Sequence, residues 1–235
     1  MSPILFYGVP EGCSFASIVA LEWSGEPYHL CRIEMPEVVS SKDYGQINAI
    51  GETPSLMLGD GRVISESMAI LNHIASGHIR KGLGFAQGSA EFDRLNQMLA
   101  YLNTSFFNAF SPLWYTIEHE LEPDARKALT AYGVAKVEKV HRELEQVLAG
   151  RKWLLGKGPS LADAYFAGIA RWNDFHKVVD RKQFPALNSL YERLQENQAV
   201  RFALAIEHEE PAESTGGFRG HVTLKDALGY LKHAA

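Results

Sequence analysis

The chain has 235 residues, 46% of them hydrophobic and 22% charged, with a formal net charge of -5. That is enough chain for two cores of ordinary size, and its Lys and Arg are scattered, so neither nucleic acid nor an anionic membrane surface is expected as a partner. Met1-Ser2-Pro3-Ile4 lacks the basic and then apolar pattern of a secretory leader, and no stretch nears the roughly 20 apolar residues that span a bilayer, so a cytoplasmic location is expected.

Ile4-Leu5-Phe6-Tyr7 reads as a short strand, Ser14 to Trp23 as a helix closed by Gly25, and Tyr28 to Ile33 as a second strand. Further on, Ser55-Leu56-Met57-Leu58 and Arg62-Val63-Ile64 flank Gly59-Asp60-Gly61, whose glycines tolerate positive φ, and this predicts a hairpin. Ser65 can then cap a helix that carries Ile70, Leu71 and Ile74 and ends at Gly77. Residues 1–78 therefore spell βαβ-ββα, an α+β unit. Residues 79–89, with Gly82, Gly84 and Gly88, read as a linker.

Residues 90–207 read as an all-α bundle. Phe92, Leu95, Leu99, Leu102, Phe106, Phe110 and Leu113 recur at helical spacing, which predicts one long helix from Ala90 to Ile117. Pro123 suits the first turn of a helix running to Gly150. Ser160-Leu161-Ala162-Asp163 resembles a capping box, with Asp in place of Glu, ahead of an apolar helix through Tyr165, Phe166, Ile169 and Trp172. Pro185–Gln195 and Ala199–Ile206 supply two more helices. Residues 208–235 form a C-terminal extension, polar and glycine-rich from Glu209 to Gly220, then patterned as a short amphipathic helix from Val222 to Leu231.

The chemistry concentrates at Cys13. It falls between the first strand and the first helix, where the partial positive charge of a helix N-terminus favours a thiolate. On position alone it is equally readable as a small buried cysteine. The other cysteine, Cys31, falls in a strand-like run and is expected to be buried. Two cysteines in a chain this long do not suggest a disulfide framework. No Cys/His cluster has zinc spacing, so no metal is expected.

A cysteine at the first helix of a βαβ-ββα unit, followed by an all-helical unit, resembles the glutathione S-transferase family, in which a thioredoxin-like domain is joined to a helical bundle. The likeness runs over residues 3–207. Its most specific stretch is Ile47-Asn48-Ala49-Ile50-Gly51-Glu52-Thr53-Pro54-Ser55-Leu56, similar to the family's I-N-P-x-G-x-V-P-x-L, followed by Ser65-Glu66-Ser67-Met68-Ala69-Ile70. The Ser160 to Asp163 box with Ala164-Tyr165 matches the start of the family's core helix, and Cys13-Ser14 is most like the bacterial beta class. The chain departs from the pattern at Ala49-Ile50, at Glu52, where Gln or Lys is frequent, and at Phe107-Asn108, where the beta class carries His-Lys.

The resemblance implies glutathione as co-substrate, held through Thr53, Pro54, Glu66 and Ser67. A cis Thr53-Pro54 bond would turn the Thr53 backbone outward to pair with the peptide as an added strand. The helix N-terminus at Ser67 would take the γ-glutamyl carboxylate, and Glu66 the α-amino group. Read by frequency alone, Ser65 and Ser67 are caps and Glu66 a first-turn acid. The resemblance makes Cys13 and Ser14 catalytic, as donors to the glutathione thiolate. Phe107, Asn108 and Trp172 would border a pocket for a small hydrophobic electrophile; Asn103, Thr104 and Asn108 either point polar groups at the thiol or form a solvated face. It also implies a homodimer with a role in detoxification. Two alternatives stand beside conjugation: thiol-disulfide exchange through Cys13, and a non-catalytic ligand or protein binder.

Overall fold

The computed structural model describes residues 1–156 and 158–234, which fall into two compact units: Met1–Gln87 with Glu196–Ala235, and Gly88–Gln195.

The first unit is built on a five-stranded sheet of β1 (Ile4–Val9), β2 (Tyr28–Glu34), β3 (Ser55–Met57), β4 (Val63–Ser65) and β5 (Phe218–His221), in the order β4-β3-β1-β2-β5. β1 and β2 are parallel, with α1 (Phe15–Ser24) as the crossover, and β3 runs antiparallel to β1 and β4. The apolar run of β1 is buried along its whole length, as a central strand covered on both faces requires. α1 ends where Gly25 takes φ 65° and donates its N–H to the Glu22 carbonyl at 3.1 Å. α2 (Ser67–Gly77) buries Ile70, Leu71 and Ile74 as their spacing predicts. Its start differs from the sequence reading. Ser65 does not cap it: Ser65 ends β4 with its Oγ 3.2 Å from Ser55 Oγ, and the chain turns into the helix through Glu66 alone.

Helix α9 (Gln198–Glu207) and the extension belong to this first unit, so the compact division falls at 195 rather than at 207. Val200, Phe202 and Ala203 are buried there, α9 packing on α1. β5 continues the sheet beyond β2: the Tyr28 N–H donates to Gly217 and the Val222 N–H to Leu30. Buried Glu22 clasps the extension, accepting from Tyr28 Oη (2.6 Å), Ser214 Oγ (2.8 Å), the Thr215 N–H (2.5 Å) and Thr215 Oγ1 (2.8 Å). α10 (Leu224–Ala234) then lays Ala227 and Leu228 on an apolar cluster that includes Phe6, Cys31, Ile33 and Tyr44.

The second unit comprises α3 (Ala90–Tyr101), α4 (Ser111–Glu118), α5 (Pro123–Leu148), α6 (Leu161–Ala170), α7 (Trp172–His176) and α8 (Pro185–Gln195). The single helix expected over Ala90 to Ile117 is broken, passing from α3 through a π-helical segment, Leu102–Phe107, before α4. Pro112 accounts for the interruption at Phe110 just ahead of α4: it has no N–H to give the Asn108 carbonyl. Lys136 Nζ donates to that carbonyl instead, at 3.3 Å. α6 is apolar on all sides and buried throughout. Asp163 secures its first turn, accepting from the Ser160 N–H (2.8 Å), Ser160 Oγ (2.7 Å) and the Leu154 N–H (3.0 Å). Among the described residues no helix is long and apolar enough to cross a membrane.

Candidate functional site

Two glycines shape the turn between β1 and α1. A side chain at Gly8 would overlap Thr53 Oγ1 and Met35 Sδ, and one at Gly12 would overlap the Gly8 carbonyl. Folding back on itself in this way, the chain sets Cys13 just ahead of α1, half-buried and in no disulfide. Cys31 is buried, and burial, with nearby Asp226, pushes its thiol up to about 12. Ser14, the other expected donor, stands next in the chain, at the turn into α1. It is fully buried, and its Oγ accepts the Gly8 N–H at 3.0 Å, which braces the turn and leaves the hydroxyl proton to donate.

The segment from Asn48 to Pro54 approaches from the other side. The Glu52 carbonyl accepts from Tyr44 Oη and from Asn48 Nδ2, both at 2.8 Å, while Asn48 Oδ1 accepts the Ile50 N–H at 3.1 Å. Thr53-Pro54 is cis, as the resemblance implies. Pairing of β3 with β1 begins at Ser55 opposite Phe6, so Thr53 lies beyond the ladder. Thr53 is half-buried, Pro54 is buried and Glu52 is exposed.

The third wall is the start of α2. Glu66 has φ 72° and ψ 125°, a region costly for a residue with a Cβ, by about 1 to 3 kcal/mol, and one found mainly where function requires it. Its carbonyl accepts the first intrahelical bond, from the Ile70 N–H at 3.0 Å, so the N–H groups of Ser67, Met68 and Ala69 head the helix. The exposed Glu66 carboxylate stands beside them. Buried Ser67 donates its hydroxyl to the Cys13 carbonyl at 3.2 Å. A half-buried thiol, backbone N–H groups at a helix N-terminus, an exposed acid and a backbone segment off the sheet ladder are the features needed to hold a short peptide by its carboxylate, amine and main chain.

In the second unit, Phe107 meets Trp172 at 5.2 Å between ring centroids, and Trp172 is enclosed further by Phe110 (5.7 Å) and Trp114 (5.3 Å). Trp172 is only 3% exposed, so of the two rings expected to face a ligand, Phe107, half-buried, offers the surface. Asn108 is exposed, and its Oδ1 accepts from Ser111 Oγ at 2.9 Å. Asn103 Oδ1 accepts from Tyr165 Oη at 2.8 Å, and Thr104 donates back to the Ala100 carbonyl, so all three of these polar groups have a partner within their own bundle.

Sequence reading missed Tyr44, Gly8 and Gly12. Tyr44 had a weak signal, an aromatic residue one helical turn ahead of Asn48; the glycines had none, because the need for them comes from chain segments distant in sequence.

Residues 1–76 match the family model for the Glutathione S-transferase N-terminal domain, and residues 96–197 that for the Glutathione S-transferase C-terminal domain. The chain is similar to Glutathione S-transferase GST-4.5 of Xanthomonas campestris pv. campestris, 29% identical over 202 residues that cover 86% of this chain and 97% of the relative. Among solved structures it is similar to a sphingomonad glutathione S-transferase complexed with glutathione, with a TM-score of 0.76 and 29% identity over 87% of this chain and 98% of the other. A bacterial beta class glutathione S-transferase of Sphingomonas chungbukensis shares the fold, with a TM-score of 0.75 and 24% identity over 87% of this chain and 98% of that one. Residues 198–235 lie beyond both family models.

Proposed function

The chain belongs to the glutathione S-transferase family, and from that premise we propose that it transfers the thiol sulfur of glutathione to a small apolar electrophile. The observation that carries the reading is the Ser67 to Cys13 hydrogen bond, which ties the anion-binding end of α2 to the residue carrying the thiol. The γ-glutamyl carboxylate lies on the N–H groups that open α2, its α-amino group meets Glu66, and the cysteinyl main chain pairs with Thr53 beside Pro54. The glutathione sulfur then comes to Cys13, whose S–H or N–H donates to it and favours its thiolate. That thiolate attacks the electrophilic carbon and the leaving group departs with its electron pair. Holding both reactants together supplies much of the rate. Phe107 is the ring we assign to the electrophile, with Trp172 packed behind it and Asn108 at the edge. The relative solved with glutathione supports the choice of co-substrate.

A second reading is favoured by the half-buried position of Cys13 at the head of α1, which suits a nucleophile. In thiol-disulfide exchange the Cys13 thiolate attacks a glutathionylated substrate, releases the substrate thiolate, and keeps glutathione as a mixed disulfide that a second glutathione resolves. We further propose a cytoplasmic homodimer, whose test is sedimentation at twice the 26.1 kDa chain mass. The functional test is retention on immobilised glutathione with elution by free glutathione, followed by assays of conjugation and of disulfide exchange. A chain that passes through such a resin and performs neither reaction overturns the proposal.

A further inference from the structure

Residues 35–50 cross from β2 to the Thr53 turn with one short 3-10 turn, Tyr44–Gln46, and no strand. Their backbone bonds run in successive local turns, from the Val38 N–H on the Glu34 carbonyl to the Asn48 N–H on the Tyr44 carbonyl, after Met35 leaves the sheet on the Val9 carbonyl, so side-chain packing is what seats these turns on the sheet. Tyr44 is fully buried, its ring edge-on to Phe6 at 6.0 Å, and Tyr44 and Ile47 share one apolar cluster with Ala227 and Leu228 of α10. Val38 and Val39, from the same crossing segment, pack against that cluster, as do Leu224 and Leu231 of α10. The positions 224, 227, 228 and 231 fall on one helical face. The other end of the crossing segment is polar: Tyr44 Oη and Asn48 Nδ2 hold the Glu52 carbonyl, one residue before Thr53. Burial pushes the Tyr44 phenol up to about 12, so it remains a donor at neutral pH.

We infer that the C-terminal extension is a positioning element for the site: α10 seats Tyr44, and Tyr44, with Asn48, fixes the peptide plane that leads into Thr53. The extension is itself held independently of α10, by Glu22 on Ser214 and Thr215, by the β5 to β2 ladder, and by Tyr7 Oη on His221 Nε2 at 3.0 Å. It lies beyond both family models, the second of which ends at residue 197.

The inference rests on Thr53 as a glutathione contact, and its test separates the two claims. The variants are Tyr44→Phe, Leu228→Ala, and deletion of residues 222–235 with β5 and the Glu22 clasp retained. Hydrogen exchange at the Ile50 and Gly51 amides, both bonded to Asn48, reports on the turn directly. Calorimetry and steady-state kinetics report on glutathione. Each variant is expected to speed exchange at these two amides and raise the glutathione Kd and KM about five- to tenfold, with kcat at saturating glutathione and KM for the electrophile unmoved. Joining the deletion to Tyr44→Phe adds little, because both act through one hydroxyl. Folded variants with wild-type exchange at Ile50 and Gly51 overturn the brace, whatever glutathione does. If the deleted protein does not fold, Leu228→Ala and Tyr44→Phe decide the matter alone. A wild type that binds no glutathione overturns the function proposed above, while the exchange measurement still decides the brace.

Discussion

The Ser67 hydroxyl donates to the Cys13 carbonyl across 3.2 Å, joining the heads of two helices 54 residues apart in sequence. The bond uses the Ser67 side chain for construction and leaves its backbone N–H at the mouth of α2. It also makes the thiol's position depend on α2, so the anion site and the sulfur site are set by the same contact.

Glu66 lies against that contact in a conformation that favours glycine. Glu66→Gly is expected to stabilise the fold by about 1 kcal/mol, the relieved strain exceeding the added freedom of the unfolded chain. The same change should weaken glutathione binding ten- to hundredfold through loss of a charged partner. Urea midpoints set against calorimetric Kd values check this, and a variant no more stable than wild type argues against strain at Glu66.

Cys13→Ser separates the chemistries. Disulfide exchange needs sulfur and should vanish, whereas conjugation needs only a donor and should survive in part. Alkylation of the wild type should go to Cys13 and be slowed by glutathione, with Cys31 inert, since its thiol is held near 12 by burial. Labelling that favours Cys31 would contradict this assignment.

Glu22→Ala leaves buried Tyr28 Oη without its acceptor and releases Ser214 and Thr215. A loss of about 3 kcal/mol is expected, together with early proteolytic cutting between residues 208 and 217. Resistance equal to wild type would mean that the extension is held without the clasp.

His141 gives the acid response of the second unit. It sits between the rings of Phe106 and Phe184, with Nδ1 2.7 Å from the Val137 carbonyl, and burial lowers its pKa from 6.5 to about 4. The folded state therefore keeps it neutral while the unfolded chain takes up a proton, so its contribution is present above pH 6.5 and lost as pH falls toward 4. The full loss is about 3 kcal/mol. His141→Phe should remove this part of the acid sensitivity in urea titrations between those two values, and an unchanged pH profile would count against it.

The strands, helices and capping box were legible because each depends on residues close in sequence: the apolar run of Ile4 to Tyr7, Gly25 ending α1, and Asp163 three residues after Ser160. β5 was not legible. Phe218-Arg219-Gly220-His221 has no apolar alternation, and it becomes a strand because Glu22, nearly two hundred residues away, anchors the chain beside β2. Within the site, Thr53, Pro54, Glu66 and Ser67 stood out through resemblance to a family. Ser14 stands out through the same resemblance, while its burial against Gly8 follows from a fold-back that no local pattern encodes. The break in the long helix has a local sign in Pro112, set within regular apolar spacing on either side.

Calorimetric titration of glutathione into the wild type and Glu66→Ala, with Cys13 alkylation followed in the same samples, tests the central claim most directly. The account predicts saturable binding by the wild type, a Kd ten- to hundredfold higher in Glu66→Ala, and protection of Cys13 that follows occupancy. Equal dissociation constants in the two proteins, or binding that leaves Cys13 as reactive as before, would place glutathione elsewhere and contradict it.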